Sequence, residues 1–234
     1  MNLFFLQVII DSAKIKDSVA RAAQMAAQAK ESLWDILLKG GPLMIPLAIL
    51  LVIAIYVFFE RYIAIKKNAK LDDNFMSIIR DHIVTGNISA ARSLTKNTPT
   101  AVARVIDKGI QRVGKDIPAI ERSMENVANL EVYKMERNVS ILSVIGYIAP
   151  LFGFLGTIAG MFQLFYNIAS TGEYSISAIA GGIYVKMISS ASGLIIGIIA
   201  YIGYRFLNSQ IDRATHKIEA STAEFIDILQ EPTR

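Results

Sequence analysis

Apolar and polar positions along this chain separate into long blocks rather than alternating. Pro42 to Phe59 is 18 residues without a charge, Asn138 to Gly172 is 35, and from Tyr174 to Tyr204 the one charged residue is Lys186. About 20 apolar residues cross a bilayer as a helix, because each backbone N–H and C=O must be satisfied within the segment. The pattern therefore predicts three transmembrane helices, over 40–60, 138–171 and 174–205. The last two exceed the length needed, so tilt or projection beyond the lipid is expected.

Between the first two spans the pattern changes to the helical period. Phe75, Ile78, Ile79, Ile83, Ile88 and Leu94 are broken by Gly86-Asn87. Pro99 restarts a helix through Val102, Val105, Ile106 and Ile110, and Gly109 and Gly114 weaken its end. Pro118 suits the first turn of another helix whose apolar positions include Ile120, Met124, Val127, Leu130 and Met135. Nothing between Glu121 and Ala149 breaks that helix, so it leads straight into the second span. No stretch alternates with period two. The expectation is an all-α integral membrane protein whose spans carry long helical extensions, 61–137 and 206–234. Residues 1–39 form a separate segment. Met1 to Ile10 is apolar without a basic start or a small-residue cleavage site, which argues against a cleaved signal peptide. Val19, Ala22, Ala23, Ala26 and Leu33 suit either an amphipathic surface helix or a loosely ordered terminus.

Composition supports the membrane assignment: 53% of residues are apolar, 19% are charged, and mean hydropathy is +0.42. Soluble domains carry about 25% charged residues. Without cysteine there are no disulfides and no thiolate nucleophiles or ligands, and His82 and His216 have no metal-ligand spacing. A net charge of +4 is too small to argue for nucleic acid. There is no phosphate loop, no Ser/His/Asp set and no paired carboxylates in a pocket context. Neither an enzyme nor a cofactor or metal is expected.

Charge also sets the expected orientation. The stretch Glu60–Asn138 holds 14 Lys and Arg, with Arg61, Lys66, Lys67 and Lys70 directly after the first span. The connection between the second and third spans holds no basic residue. Counting basic residues near the span ends places 61–137 and the C-terminal tail in the cytoplasm and the N-terminus outside.

Within the second span Gly153, Gly156, Thr157 and Gly160 share one helical face. The glycines suit close helix packing. Thr157 either bonds back to its own helix or lines a polar path. In the third span Lys186, Ser190, Gly193 and Gly197 share a face, with Ser189 and Ser192 beside them. A charge at membrane depth costs on the order of 3 kcal/mol, so Lys186 either enters an internal or inter-subunit polar site or anchors at the interface. No Asp or Glu lies within the uncharged stretches of the spans, Glu60 standing at the very end of the first. A proton relay needs a group that takes and releases protons, so a second polypeptide has to supply it if this chain conducts protons.

Gly40-Gly41-Pro42-Leu43-Met44-Ile45-Pro46, followed by Phe59-Glu60-Arg61-Tyr62, resembles the first span and Glu-Arg exit of the MotA/TolQ/ExbB proton-channel family. Ala149 to Met161 (APLFGFLGTIAGM) resembles its second-span signature, and Gly181 to Leu194 (GGIYVKMISSASGL) its third-span block. By length and span count the likeness is to ExbB-type members, with TolQ-type members next. The resemblance implies a ring, a homopentamer, in the bacterial inner membrane, whose second and third spans line a lumen. It implies an ExbD-like single-span partner carrying a membrane aspartate, and a TonB-like protein through which proton-motive force drives outer-membrane transport. Position by position, the second-span hydroxyl falls on Thr157 and the third-span threonine on Ser190. The glutamate of well-known members falls on Val185, beside Lys186. Either that glutamate is dispensable here or the ion path differs. The alternatives are a TolQ-like or gliding-type motor of the same family, and a non-conducting membrane scaffold whose glycines merely pack helices.

Overall fold

The computed structural model describes residues 40–70, 72, 74–172 and 176–231. The N-terminal segment 1–39, with its expected amphipathic stretch, lies outside the described residues. Every regular element among them is a helix: α1 (Met44–Ala69), α2 (Phe75–Val84), α3 (Ile88–Asn97), α4 (Ala101–Ile110), α5 (Ile117–Glu136), α6 (Val139–Thr171) and α7 (Ile176–Gln230). Helices within Met44–Ala69, Ile117–Thr171 and Ile179–Gln230 are long and apolar enough to cross a membrane. At 1.5 Å per residue α6 is about 50 Å long and α7 about 80 Å, against roughly 30 Å of hydrocarbon. Both are longer than that thickness.

Packing divides the described residues into two compact units, 45–154 with 192–231, and 155–191 with 40–44. In the first, the short helices α2 to α4 build a core from Phe75, Met76, Ile79, Ala91, Val102, Val105 and Ile106, completed by Ile120 and Met124 of α5. Local signals start these helices where the sequence placed them. Gly86 takes φ +73°, and Asn87 caps α3 by accepting from the Ala90 N–H at 3.2 Å. Thr100, directly after Pro99, caps α4 by accepting from the Ala103 N–H at 3.3 Å.

The charged end of α7 joins this core along one stripe. Leu207, Ile211, Ala214, Ile218, Ser221, Phe225 and Ile228 are buried at alternating steps of four and three. That stripe runs on from the buried Ile196 and Ala200. The helix runs without a break across 205/206, so the apolar stretch and its charged extension form a single helix.

The expected run of α5 into α6 carries a two-residue step. Arg137 is extended (ψ 131°) and Asn138 takes φ +65°, a left-handed conformation that Asn tolerates better than most residues. Arg61 of α1 donates from Nη1 to the exposed Arg137 carbonyl at 3.1 Å and also pairs with Glu60. The step therefore has a side-chain partner for a backbone group that the interrupted helix leaves open.

Glu131 of α5 is 3% exposed and forms the hub of a polar network. It accepts from Arg104 Nη2 at 2.5 Å and from Lys134 Nζ at 2.7 Å, while Arg104 Nη2 also donates to Asn68 Oδ1 at 2.7 Å. The network ties α1, α4 and α5 together.

Candidate membrane site

The residues singled out in the second and third spans meet mostly within the unit that holds Leu155–Ala191. Glycines on α6 let α7 approach closely, and hydroxyls then reach across. Thr157 is half-buried, and its Oγ1 donates to the main-chain oxygen of Lys186 at 3.3 Å. Ser189, 1% exposed, donates from Oγ to the same oxygen at 2.9 Å. One carbonyl of α7 therefore receives a hydroxyl from each helix. Gly156 makes room for this arrangement: a β-carbon there would lie 2.7 Å from Ser189 Oγ.

Lys186 is half-buried, and its stem lies directly over the buried Gly160 of α6. A β-carbon at 160 would occupy the space of Lys186 Cγ, Cδ and Cε. The lysine stem is thus packed against the neighbouring spanning helix. Ser190, half-buried, stands one turn further along α7. Val185 precedes Lys186 in α7, but its side chain lies outside the described residues.

Gly153, Gly193 and Gly197 belong to the other unit and serve close packing there. A β-carbon on Gly193 would lie 2.5 Å from the Ala149 oxygen and 2.9 Å from Gly153 Cα, and one on Gly197 would lie 2.6 Å from Pro150 Cγ. Backbone-to-backbone approach of this kind is what small residues permit between spanning helices.

Chemically, the site offers hydroxyl groups, a main-chain oxygen and one ammonium. Neither α6 nor residues 176–204 of α7 contain Asp, Glu or His. Its side chains can position or pair with a proton carrier, but they include no carboxylate or imidazole to act as one. Among the described residues no group of three His, Cys, Asp or Glu could hold a metal ion.

Sequence reasoning did not find the fit of Lys186 onto Gly160, because the register of α7 against α6 decides it. Nor did it find the buried Glu131, although a signal existed. Glu131 lies seven residues after Met124 and four before Met135, on the stripe that α5 buries.

Comparison with known proteins accords with this architecture. A biopolymer transport protein ExbB-like 1 of Synechocystis sp. is 28% identical over 180 residues, covering 76% of this chain and 71% of that protein. Biopolymer transport protein exbB1 of Vibrio cholerae is 32% identical over 100 residues, 42% of this chain and 43% of its own length. Biopolymer transport protein ExbB of Neisseria gonorrhoeae is 33% identical over 87 residues, 37% of this chain and 40% of its own. Residues 97–220, more than half of the chain and including all of α6 and the site on α7, match the family described as the MotA/TolQ/ExbB proton channel family, and the chain belongs to it.

Proposed function

We propose that this chain is an ExbB-like stator subunit of a proton channel in a bacterial inner membrane, with its N-terminus periplasmic and its C-terminus cytoplasmic. Five copies form a ring, and α6 and α7 line its lumen. An ExbD-like single-span partner sits inside and brings the membrane aspartate that carries the proton. Proton-motive force then passes through a TonB-like protein to outer-membrane transport. One observation carries this reading. Thr157, at the position of the family's second-span hydroxyl, bonds the Lys186 main-chain oxygen and so joins α6 to α7, while the spans that would line the lumen hold no carboxylate or imidazole to relay a proton. A site with hydroxyls and an ammonium but no carboxylate of its own supports a reading in which a second chain brings one. The basic residues after the first span support the orientation.

The test is co-expression with an ExbD-like single-span protein from the same genome, followed by native mass and proton flux in liposomes. A ring of identical chains holding fewer copies of an aspartate-bearing partner, conducting only when both are present, is the expected result. Assembly without flux in any combination would favour a non-conducting scaffold.

A further inference from the structure

Lys186 is fixed at two points on the neighbouring helix. Its carbonyl accepts from Thr157 at 3.3 Å, and three residues further along α6 its aliphatic stem crosses Gly160. Positions 157 and 160 lie on one face of α6. The backbone bond sets where the lysine starts, and the glycine sets the direction its stem takes. Any residue with a β-carbon at 160 would force Cγ, Cδ and Cε elsewhere and move the ammonium with them. A small residue that merely allowed two backbones to approach would face backbone atoms, as Gly193 does. Gly160 instead faces three methylenes of a charged side chain.

The surroundings give that charge a role. α6 carries no Asp, Glu, Lys, Arg or His; its titratable groups are Tyr147 and Tyr166, and α7 adds Tyr184, Tyr201 and Tyr204 across 176–204. A lysine at membrane depth is costly unless it meets a carboxylate or water. We infer that Gly160 is a positioning residue for the proton pathway: its notch lays Lys186 along α6 so that the ammonium meets a membrane carboxylate brought by a second chain. This rests on the channel reading above. A nearby cation favours the ionised form of a carboxylate and lowers its pKa. Displacing the ammonium therefore raises the pH at which the carrier loses its proton.

The test uses the full chain assembled with its single-span partner in liposomes. Proton flux is recorded against pH for the wild type, Gly160→Ala, Lys186→Ala and the double variant, with native mass as the assembly control. Both single variants are expected to assemble, to conduct at least tenfold less, and to shift the flux midpoint to higher pH. In the double variant the alanine methyl enters space the lysine stem has vacated, so Gly160→Ala adds no further loss. Two results would overturn the inference while the channel reading survives. One is wild-type flux and midpoint in Gly160→Ala. The other is a Gly160→Ala loss that recurs in full beside Lys186→Ala, since residues acting through one contact do not behave additively. Absence of flux in the assembled wild type would sink the channel reading, and this inference with it.

Discussion

Thr157 Oγ1 and the Lys186 carbonyl oxygen stand 3.3 Å apart, joining α6 to α7 through a hydroxyl that a β-branched apolar residue would lack. Thr157→Val keeps the shape and removes the donor. One neutral hydrogen bond contributes about 1 kcal/mol net, too little to prevent assembly. On the proposed channel reading, Thr157→Val is expected to give assemblies of native mass with proton flux reduced about tenfold or more, equivalent to roughly 1.4 kcal/mol on the barrier. Thr157→Ser, which keeps the hydroxyl, retains most of the flux. Full flux in the valine variant would remove this hydroxyl from the pathway.

Glu131 gives a pH-dependent expectation for the charged bundle. Burial pushes its pKa up, but hydrogen bonds from Arg104 and Lys134, with their charges, outweigh that and hold it below the usual carboxylate range. A carboxylate depressed in the folded state contributes stability at pH above its unfolded value, near 4.3, and that stability is lost as pH falls through the folded value. Glu131→Gln is expected to lower stability at pH 7 and to flatten the acid limb of a thermal-unfolding profile. The loss should be about 2 kcal/mol, below the 3–5 kcal/mol of a fully buried pair, because Arg104 and Lys134 are partly exposed. An unchanged acid limb would show that Glu131 is not the group responsible.

The parts of this fold legible in the sequence are those set by local chemistry or by composition over long windows. The Gly86-Asn87 break, the restart after Pro99 and the Pro118 start reappear as element boundaries, and each of the three apolar runs falls largely within one helix. The less legible parts depend on a partner distant in sequence. The step at Arg137-Asn138 is anchored by Arg61, 76 residues earlier. At the membrane site, one glycine face reads as uniform packing in sequence. In the structure Gly156 meets a serine hydroxyl and Gly160 a lysine stem, a distinction set by helix register and invisible to spacing.

The step between α5 and α6 can be tested through its backbone conformation. Asn138 at φ +65° tolerates Gly, whereas a β-branched residue is strained there by about 1–2 kcal/mol. Asn138→Gly is expected to leave stability within about 0.5 kcal/mol of the wild type, and Asn138→Val to lower it by the strain. Arg61→Ala removes the donor to the Arg137 carbonyl, so amide exchange at residues 138–141 should quicken. Equal stability of the glycine and valine variants would mean that the left-handed step is not held in the assembled protein.

Two glycines of α6 and α7 should respond to the same added methyl in different ways, because the obstacles differ. At Gly193 the methyl meets the Ala149 carbonyl oxygen at 2.5 Å and Gly153 Cα at 2.9 Å, and no side-chain rotation relieves either contact. Gly193→Ala forces the two helix backbones apart, with an expected loss at or above the 1–3 kcal/mol typical of overpacking. At Gly156 the obstacle is Ser189 Oγ at 2.7 Å, which can rotate away only by giving up its 2.9 Å bond to the Lys186 carbonyl. Gly156→Ala is therefore expected to cost less and to be partly rescued by Ser189→Ala, which removes the 2.7 Å contact and leaves the β-carbon of residue 189 at 3.3 Å. No such single truncation rescues Gly193→Ala. Thermal unfolding of the detergent-solubilised protein across the four variants checks this. Rescue absent at Gly156, or equal losses at both glycines, would mean that backbone crowding alone governs the whole face.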